Sequence, residues 1–177
     1  MSARAPQTAG EAARPAKDPG APIAGAEFLD PVAIAGLLTM IVNDSLLRPN
    51  WPSWWTGKLS DFGILMLFPF VLSATSSLVL AAVAWARGRS LDPRPTRARF
   101  MTAVVISGLG LTAVNVSTTL RDLYVELLYA VDVFHHFPVF RYTLDPTDLV
   151  ALVILPLVGW YGWRRVGRAR PTTLERP

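Results

Sequence analysis

The chain has 177 residues, of which 51% are hydrophobic and 17% charged, and its mean hydropathy is +0.35. About a quarter of the residues in a soluble domain are charged, so the composition excludes an ordinary soluble protein and indicates an integral membrane protein. The chain has no cysteine, which excludes disulfides, cysteine-ligated metal centres and thiol nucleophiles. Its net charge of +4 comes mostly from basic residues placed as topology signals, so no nucleic-acid partner is expected.

Residues 1–27 are rich in Ala, Pro and Gly, carry charges of both signs and contain no apolar run. We therefore expect a disordered cytoplasmic tail and not a signal peptide. Four apolar stretches follow, at residues 31–47, 61–85, 100–119 and 146–163, and each approaches the ~20 residues that cross a bilayer as a helix. The sequence thus predicts an all-α, four-helix transmembrane bundle over residues 28–165, followed by a basic cytoplasmic tail at 166–177.

The ends of these helices carry recognisable signals. Asp30 before a proline, and Asp145 before a proline, are typical of an N-cap followed by proline in the first helical turn. Ser60 or Asp61 is expected to cap the second helix in the same way. In the third stretch the apolar character ends near Thr119, while the helical pattern continues to about residue 134. This predicts either an extended third helix or a short outer helix after it.

The basic residues predict the topology. Only four of the 17 Lys and Arg residues lie in the segments after the first and third stretches, and these are Arg48, Lys58, Arg121 and Arg141. The other thirteen lie in the two tails and in the segment after the second stretch. Because cytoplasmic segments of membrane proteins are enriched in Lys and Arg, both termini are expected in the cytoplasm, in a multi-pass protein of the bacterial inner membrane.

The remaining charge gathers at the predicted outer face, where we expect a ligand-binding polar network. Charges in or beside a membrane span are costly and normally face protein or water. The predicted members are Asn43, Asp44, Lys58, Asp61, Asn115, Arg121, Asp122, Glu126 and Asp148. Asp44, Asp122 and Asp148 would bring spans one, three and four to Lys58 and Asp61 of span two.

Two features of this network leave alternatives open. Asn115, Asp122 and Glu126 recur at helical steps, and carboxylates four residues apart repel each other unless water or a cation relieves them. The stripe is therefore either a solvated helix face or a cation site, with Asp122, Glu126 and His136 as weak metal candidates. Lys58 follows a glycine but lacks the other residues of a phosphate-binding loop. A cation suits a helix N-terminus poorly, so Lys58 should face Asp61, Asp44, a span-three acid or a lipid phosphate.

The segments TGKLSDFGIL (residues 56–65) and YTLDPTDLVAL (residues 142–152) carry a resemblance. With them the chain resembles a group of uncharacterised bacterial multi-span membrane proteins over about residues 30–163. It departs from the group's pattern at residues 62–64, where Phe-Gly-Ile replaces Phe-Ala-Gly. The resemblance supplies no mechanism. It implies a shared outer-face cluster consisting of Asn43, Lys58, Asp61, Asp145 and Asp148.

The sequence favours a non-catalytic module, either an accessory subunit or a binder of an ion or a lipid headgroup. No catalytic triad or metalloenzyme motif is present, so no catalytic residue and no cofactor is assigned. One alternative is a membrane enzyme on a lipid-linked or phosphate-bearing substrate at the outer leaflet, with Asp61 or Asp122 as base and Lys58 or Arg121 holding phosphate. The other is an oligomeric transporter or channel subunit. The expected partners are the lipid bilayer and either another membrane protein or further copies of the chain.

Overall fold

The computed structural model describes residues 25–89, 95–131 and 145–168, and the secondary structure of these residues is entirely helical. The elements are a 3-10 turn (Ala26–Leu29), α1 (Pro31–Val42), a π-helical segment (Asn43–Leu47), α2 (Arg48–Asn50), α3 (Trp54–Ala86), α4 (Arg97–Val116), α5 (Thr118–Val131), a 3-10 helix (Pro146–Ile154) and α6 (Leu155–Arg168). Most of the predicted tails at 1–27 and 166–177, namely residues 1–24 and 169–177, and His136 lie outside the described residues; α6 continues into the second tail as far as Arg168.

Four stretches of this structure are long and apolar enough to cross a membrane, which confirms the predicted all-α fold of a four-helix transmembrane bundle. They are span one (Pro31–Asn50), span two (Trp54–Ala86), span three (Arg97–Val116) and span four (Pro146–Val166). Span two begins earlier than predicted. Ser53 accepts a hydrogen bond from the Thr56 N–H while Thr56 accepts one from the Ser53 N–H, and this capping box starts the helix. The expected cap at Ser60 is therefore wrong, because Ser60 already lies inside the helix.

Of the two predicted forms of the third span, the structure has the second: the helix is not extended, and a separate short helix follows it. The α4 helix ends at Val116, and Ser117 has an extended backbone (φ −126°, ψ 119°). A new helix, α5, starts directly after it, with the Ser117 side chain accepting from the N–H of Leu120. The break ends the continuous polar stripe expected along span three, since its upper residues now belong to a separate helix.

Close helix contacts are made at glycines. A Cβ atom on Gly36 of span one would lie 2.6 Å from the carbonyl oxygen of Gly63 in span two, and one on Gly63 would lie 2.8 Å from the carbonyl oxygen of Gly36. Small residues permit such backbone approach, which is a main source of helix association in membranes. Gly162 of span four is covered in the same way by the ring of Phe100.

The core lies between these contacts. The rings of Phe70 and Phe100 pack edge to face with centroids 5.0 Å apart, in a cluster with Ala33, Val104 and Val158. A second cluster consists of Leu65, Leu111 and Ala151. Thus spans two, three and four meet along most of their length, while span one packs chiefly on span two.

Ion pairs mark the two ends of the bundle. Asp30 at the start of span one pairs with Arg165 near the end of span four, with 2.8 Å between Oδ2 and Nη1. Lys58 at the start of span two pairs with Asp145 and Asp148 at the start of span four. Successive spans therefore run in opposite directions. We refer to the two ends as the Asp30 end and the Lys58 end.

Candidate functional site

The Lys58 end contains a buried lysine held by two carboxylates. Lys58 is 3% exposed, and its Nζ donates to Oδ2 of Asp145 at 2.5 Å and to Oδ1 of Asp148. A buried ammonium needs such partners, because an unpaired charge in a low-dielectric interior is strongly unfavourable. The local expectation that Lys58 faces Asp61, Asp44, a span-three acid or a lipid phosphate is therefore corrected, since its hydrogen-bond partners are two acids at the start of span four.

The local structure of span four explains why two carboxylates reach one ammonium. Span four opens as a 3-10 helix, in which residues three apart lie directly above one another. Asp148 therefore stands in line with Asp145, the N-cap that precedes the helix. Asp145 also accepts from the backbone N–H of Thr147 at 2.9 Å and from its hydroxyl at 2.6 Å, so it serves as cap and ion-pair partner together. A carboxylate also suits the positive end of the helix.

Asp61 places a third carboxyl beside this pair. It lies one turn after Lys58 on span two, is partly buried, and lies within electrostatic reach of Asp148 and Lys58. Like charges so close repel each other, so three carboxyl groups beside one ammonium favour the binding of a proton or a cation. Arg48 adds a positive charge within electrostatic reach of Asp61. We call Lys58, Asp61, Asp145 and Asp148 the lysine cluster.

A second set of polar residues joins the end of span one to the first turns of span two. Asn43 is fully buried, and its Nδ2 donates to the carbonyl of Thr56 and the hydroxyl of Ser60, each at 2.8 Å. Ser60 in turn donates to Oδ1 of Asp44 at 2.7 Å. Asn43 opens the π-helical segment of span one, a widened turn of the kind often found at functional sites. We call Asn43, Asp44, Thr56 and Ser60 the asparagine cluster.

The orientation of the Asn43 amide leaves one oxygen without a donor. Three acceptors surround Nδ2, since Asp44 Oδ1 lies at 3.4 Å in addition to the two oxygens above. Reversing the amide would set oxygen against oxygen, so the assignment of nitrogen and oxygen is fixed by the surroundings. Oδ1 of Asn43 is buried and has no hydrogen-bond partner among the described residues. An unsatisfied buried acceptor is costly and calls for a donor or a cation.

The remaining predicted site residues lie apart from these clusters. Asn115 is buried on span three and donates to the carbonyl of Leu111 in its own helix. Arg121 and Asp122 pair with each other on α5 at 2.8 Å, and the Asp122 side chain is 63% exposed. Glu126 is exposed on the same helix. Span three thus brings no acid to Lys58, because α5 diverges after Ser117.

The structure also adds residues that the sequence interpretation missed. Thr56 joins the site through its carbonyl, and Ser60 joins it as a network member instead of a cap. Asp145 was expected as the cap of span four and, through the resemblance, as a member of the outer-face cluster; it both caps the helix and binds Lys58. The available signal was its spacing of three from Asp148, which places both carboxylates on one face of a helix.

The arrangement has more negative than positive charge. The lysine cluster sets three carboxyl groups against one ammonium. In the described segments, no three His, Cys, Asp or Glu side chains are placed to hold a metal ion together. The site can therefore attract a cation, but it does not form a ready cage for a multivalent metal. Lys58 is already neutralised, so it is not offered to a phosphate.

Acid should weaken the link between spans two and four. The hydrogen bond from Lys58, followed by those from Thr147, lowers the pKa of Asp145 to about 2. A carboxyl with a depressed folded-state pKa stabilises the fold above its ordinary pKa of about 3.9, and this effect is lost as the pH falls toward the folded value. We expect the difference in unfolding temperature between the native chain and Asp145→Asn to be constant from pH 7 to about pH 5 and to shrink below it.

Asparagine is a suitable substitution because it caps helices about as well as aspartate, so the comparison isolates the charge. A difference that stays the same down to pH 3 would show that the ion pair is not what this carboxylate contributes.

Together the two clusters join spans one, two and four through hydrogen bonds and ion pairs. Comparisons with protein-family models, with characterised proteins and with solved structures find no match to this chain.

Proposed function

We propose that this protein is a non-catalytic module of the bacterial inner membrane that binds a cation, either an inorganic ion or the amine of a lipid headgroup. The binding site is the lysine cluster. The observation that carries the proposal is the excess of carboxyl groups: Asp61 lies one turn from a lysine that Asp145 and Asp148 already neutralise. Such an excess of like charge favours the binding of a proton or a cation.

The charge of the cluster supports a cation over a phosphate. Lys58 is buried and donates to two carboxylates, so an incoming phosphate would have to displace at least one of them and would meet the others at close range. A cation would be attracted by the same carboxylates, since carboxylate oxygens are the ligands that hard cations prefer. This favours a binding module over an enzyme that acts on a phosphate-bearing substrate.

The proposal places both termini in the cytoplasm and the Lys58 end at the outer face. Basic residues support this topology: Arg87, Arg97, Arg99, Arg164 and Arg165 lie at the Asp30 end, and such residues concentrate on the cytoplasmic side. The exposed apolar surface of the spans then faces lipid, and it also offers room for an accessory role beside another membrane protein or a second copy.

The test is the cation dependence of stability in mild detergent. We expect NaCl to raise the unfolding temperature above that in N-methyl-glucamine chloride of equal ionic strength, because a ligand that binds only the folded state stabilises it. For a lipid amine, native mass spectrometry should show phosphatidylethanolamine retained in preference to phosphatidylcholine, whose methylated amine has no N–H to donate. Asp61→Asn should remove whichever dependence is seen.

Glu126→Gln is the matched control, since it removes an exposed carboxylate on α5 away from the cluster. It should leave the cation dependence intact. If neither the sodium ion nor the amine lipid has an effect that Asp61→Asn removes, the lysine cluster only holds helices together and the proposal fails.

A further inference from the structure

A groove lies at the opposite end of the bundle, on the last turns of span four. It has a volume of about 430 Å³ and is lined by Trp160, Tyr161, Arg164 and Arg165. These residues are spaced so that each arginine follows an aromatic residue by one helical turn. The groove therefore combines two guanidinium groups with two amphipathic rings, at the depth where aromatic side chains meet lipid headgroups.

The first arginine is held flat and keeps its donors available. The guanidinium carbon of Arg164 lies 4.0 Å from the ring centroid of Trp160, a stacking distance. In the described part of the chain none of its nitrogens has a hydrogen-bond partner or an ion pair. Its edge, with the N–H groups, is therefore free to meet a ligand while its face rests on the indole.

The second arginine, Arg165, is held in place by an ion pair and a hydrogen bond. Nη1 of Arg165 contacts Oδ2 of Asp30 at 2.8 Å and donates to the hydroxyl of Tyr161 at 2.9 Å. Asp30 is buried and its other oxygen caps span one by accepting from Val32, so its charge is directed inward. Half of the Arg165 side chain remains exposed, at 51%. The side chain lines the groove, and its other nitrogens, Nη2 and Nε, have no hydrogen-bond partner in the described part of the chain.

The charge of the groove decides the class of ligand. Two arginines and one buried aspartate leave an excess positive charge at a membrane-facing surface. A guanidinium binds a phosphate through two parallel hydrogen bonds, and arginine is favoured wherever such planar recognition is needed. Basic residues at the headgroup level also attract anionic lipids.

We propose that this groove binds a phosphate group, with Arg164 as the main ligand and Arg165 as its preoriented second contact. The phosphate is supplied either by an anionic lipid headgroup or by free phosphate. The site is independent of the lysine cluster, because it lies at the other end of the bundle and takes the opposite charge. Either proposal can fail without the other.

The experiment counts lipids bound to the detergent-solubilised protein by native mass spectrometry during titration with phosphatidylglycerol or phosphatidylcholine. We expect the native chain to retain phosphatidylglycerol preferentially, and Arg164→Gln to bind it about tenfold more weakly, as for the loss of a hydrogen bond to a charged group. Arg164→Lys should recover only part of the affinity, because it keeps the charge without the planar fork.

A second arm separates the two sources of phosphate. Inorganic phosphate that binds with equal affinity in the absence of lipid, and displaces phosphatidylglycerol at low millimolar concentration, identifies the free anion as ligand. Retention that resists inorganic phosphate identifies the lipid. Arg87→Gln is the matched control, since it removes the same charge at the same end of the bundle but lies outside the groove. An equal loss in Arg87→Gln, or no preference over phosphatidylcholine, would overturn the proposal.

Discussion

Lys58→Met should be the most damaging single substitution in the bundle. It leaves Asp145 and Asp148 facing each other without the ammonium that joins them, and it leaves Asp61 beside them. Removing one partner of a buried pair typically costs about 3–5 kcal/mol. Because Asp145 is half exposed, with 43% of its side chain accessible, we expect a loss of about 3 kcal/mol in the free energy of unfolding. Denaturant titration of the protein in mild detergent measures it.

Neutralising the two partner carboxylates separates the effect of unpaired charge from the effect of lost packing. Adding Asp145→Asn and Asp148→Asn to Lys58→Met should recover most of the stability, since no uncompensated charge remains. Arg121→Met is the matched control, because it breaks an exposed ion pair on α5 and such pairs contribute at most about 1 kcal/mol. If the triple variant were no more stable than Lys58→Met, the damage would come from lost packing and not from orphaned carboxylates.

Gly36→Ala is the second substitution with a large expected effect. The added methyl carbon would lie 2.6 Å from the carbonyl oxygen of Gly63 and 2.9 Å from the Cβ of Met66. Backbone atoms cannot give way as the end of a flexible side chain does, so spans one and two must separate. Overpacking of this kind costs about 1–3 kcal/mol. The measurement is again the free energy of unfolding in mild detergent.

Gly110→Ala provides the comparison, since it lies within α4 and a Cβ there meets no atom within 4 Å. It should be neutral or stabilising by up to about 1 kcal/mol, because alanine is the better helix former. Equal effects of the two substitutions would mean that the glycine contact between spans one and two does not hold the bundle together.

Much of the fold could be predicted because the apolar stretches and the caps are local signals. Asp30 does accept from the N–H of Val32, and Asp145 accepts from Thr147. The start of span two was misplaced because Trp54 and Trp55 look like interfacial residues before a helix, whereas the capping box at Ser53 puts them inside it. The length of an apolar run does not reveal where the backbone begins to coil.

The candidate site was harder to predict because it depends on distances between segments. The sequence indicated that Lys58 needs an anion and placed Asp148 in the same network. It also placed Asp122 there, and this failed because the helix breaks at Ser117, which is neither glycine nor proline. The spacing of Asp145 and Asp148 places both on one helix face, but the contact of Asp145 with Lys58 depends on how spans two and four pack. Pairing across more than eighty residues is a property of packing.

The 3-10 opening of span four has a consequence for how the bundle fits its bilayer. A 3-10 helix rises about 2.0 Å per residue against 1.5 Å in an α-helix, so Pro146–Ile154 reaches about 4 Å further than the same residues would in α form. Span two, with 33 residues, is about 50 Å long, well beyond a hydrocarbon core of about 30 Å.

Because the Lys58 ion pairs hold the starts of these two spans at one depth, the excess length of span two falls at the other end. The 84% exposure of Trp85 fits a helix that extends past its neighbours there. Such a helix must tilt or emerge from the hydrocarbon, so a thinner membrane increases the mismatch. Membrane thickness thereby becomes a variable that acts on the relative height of spans two and four.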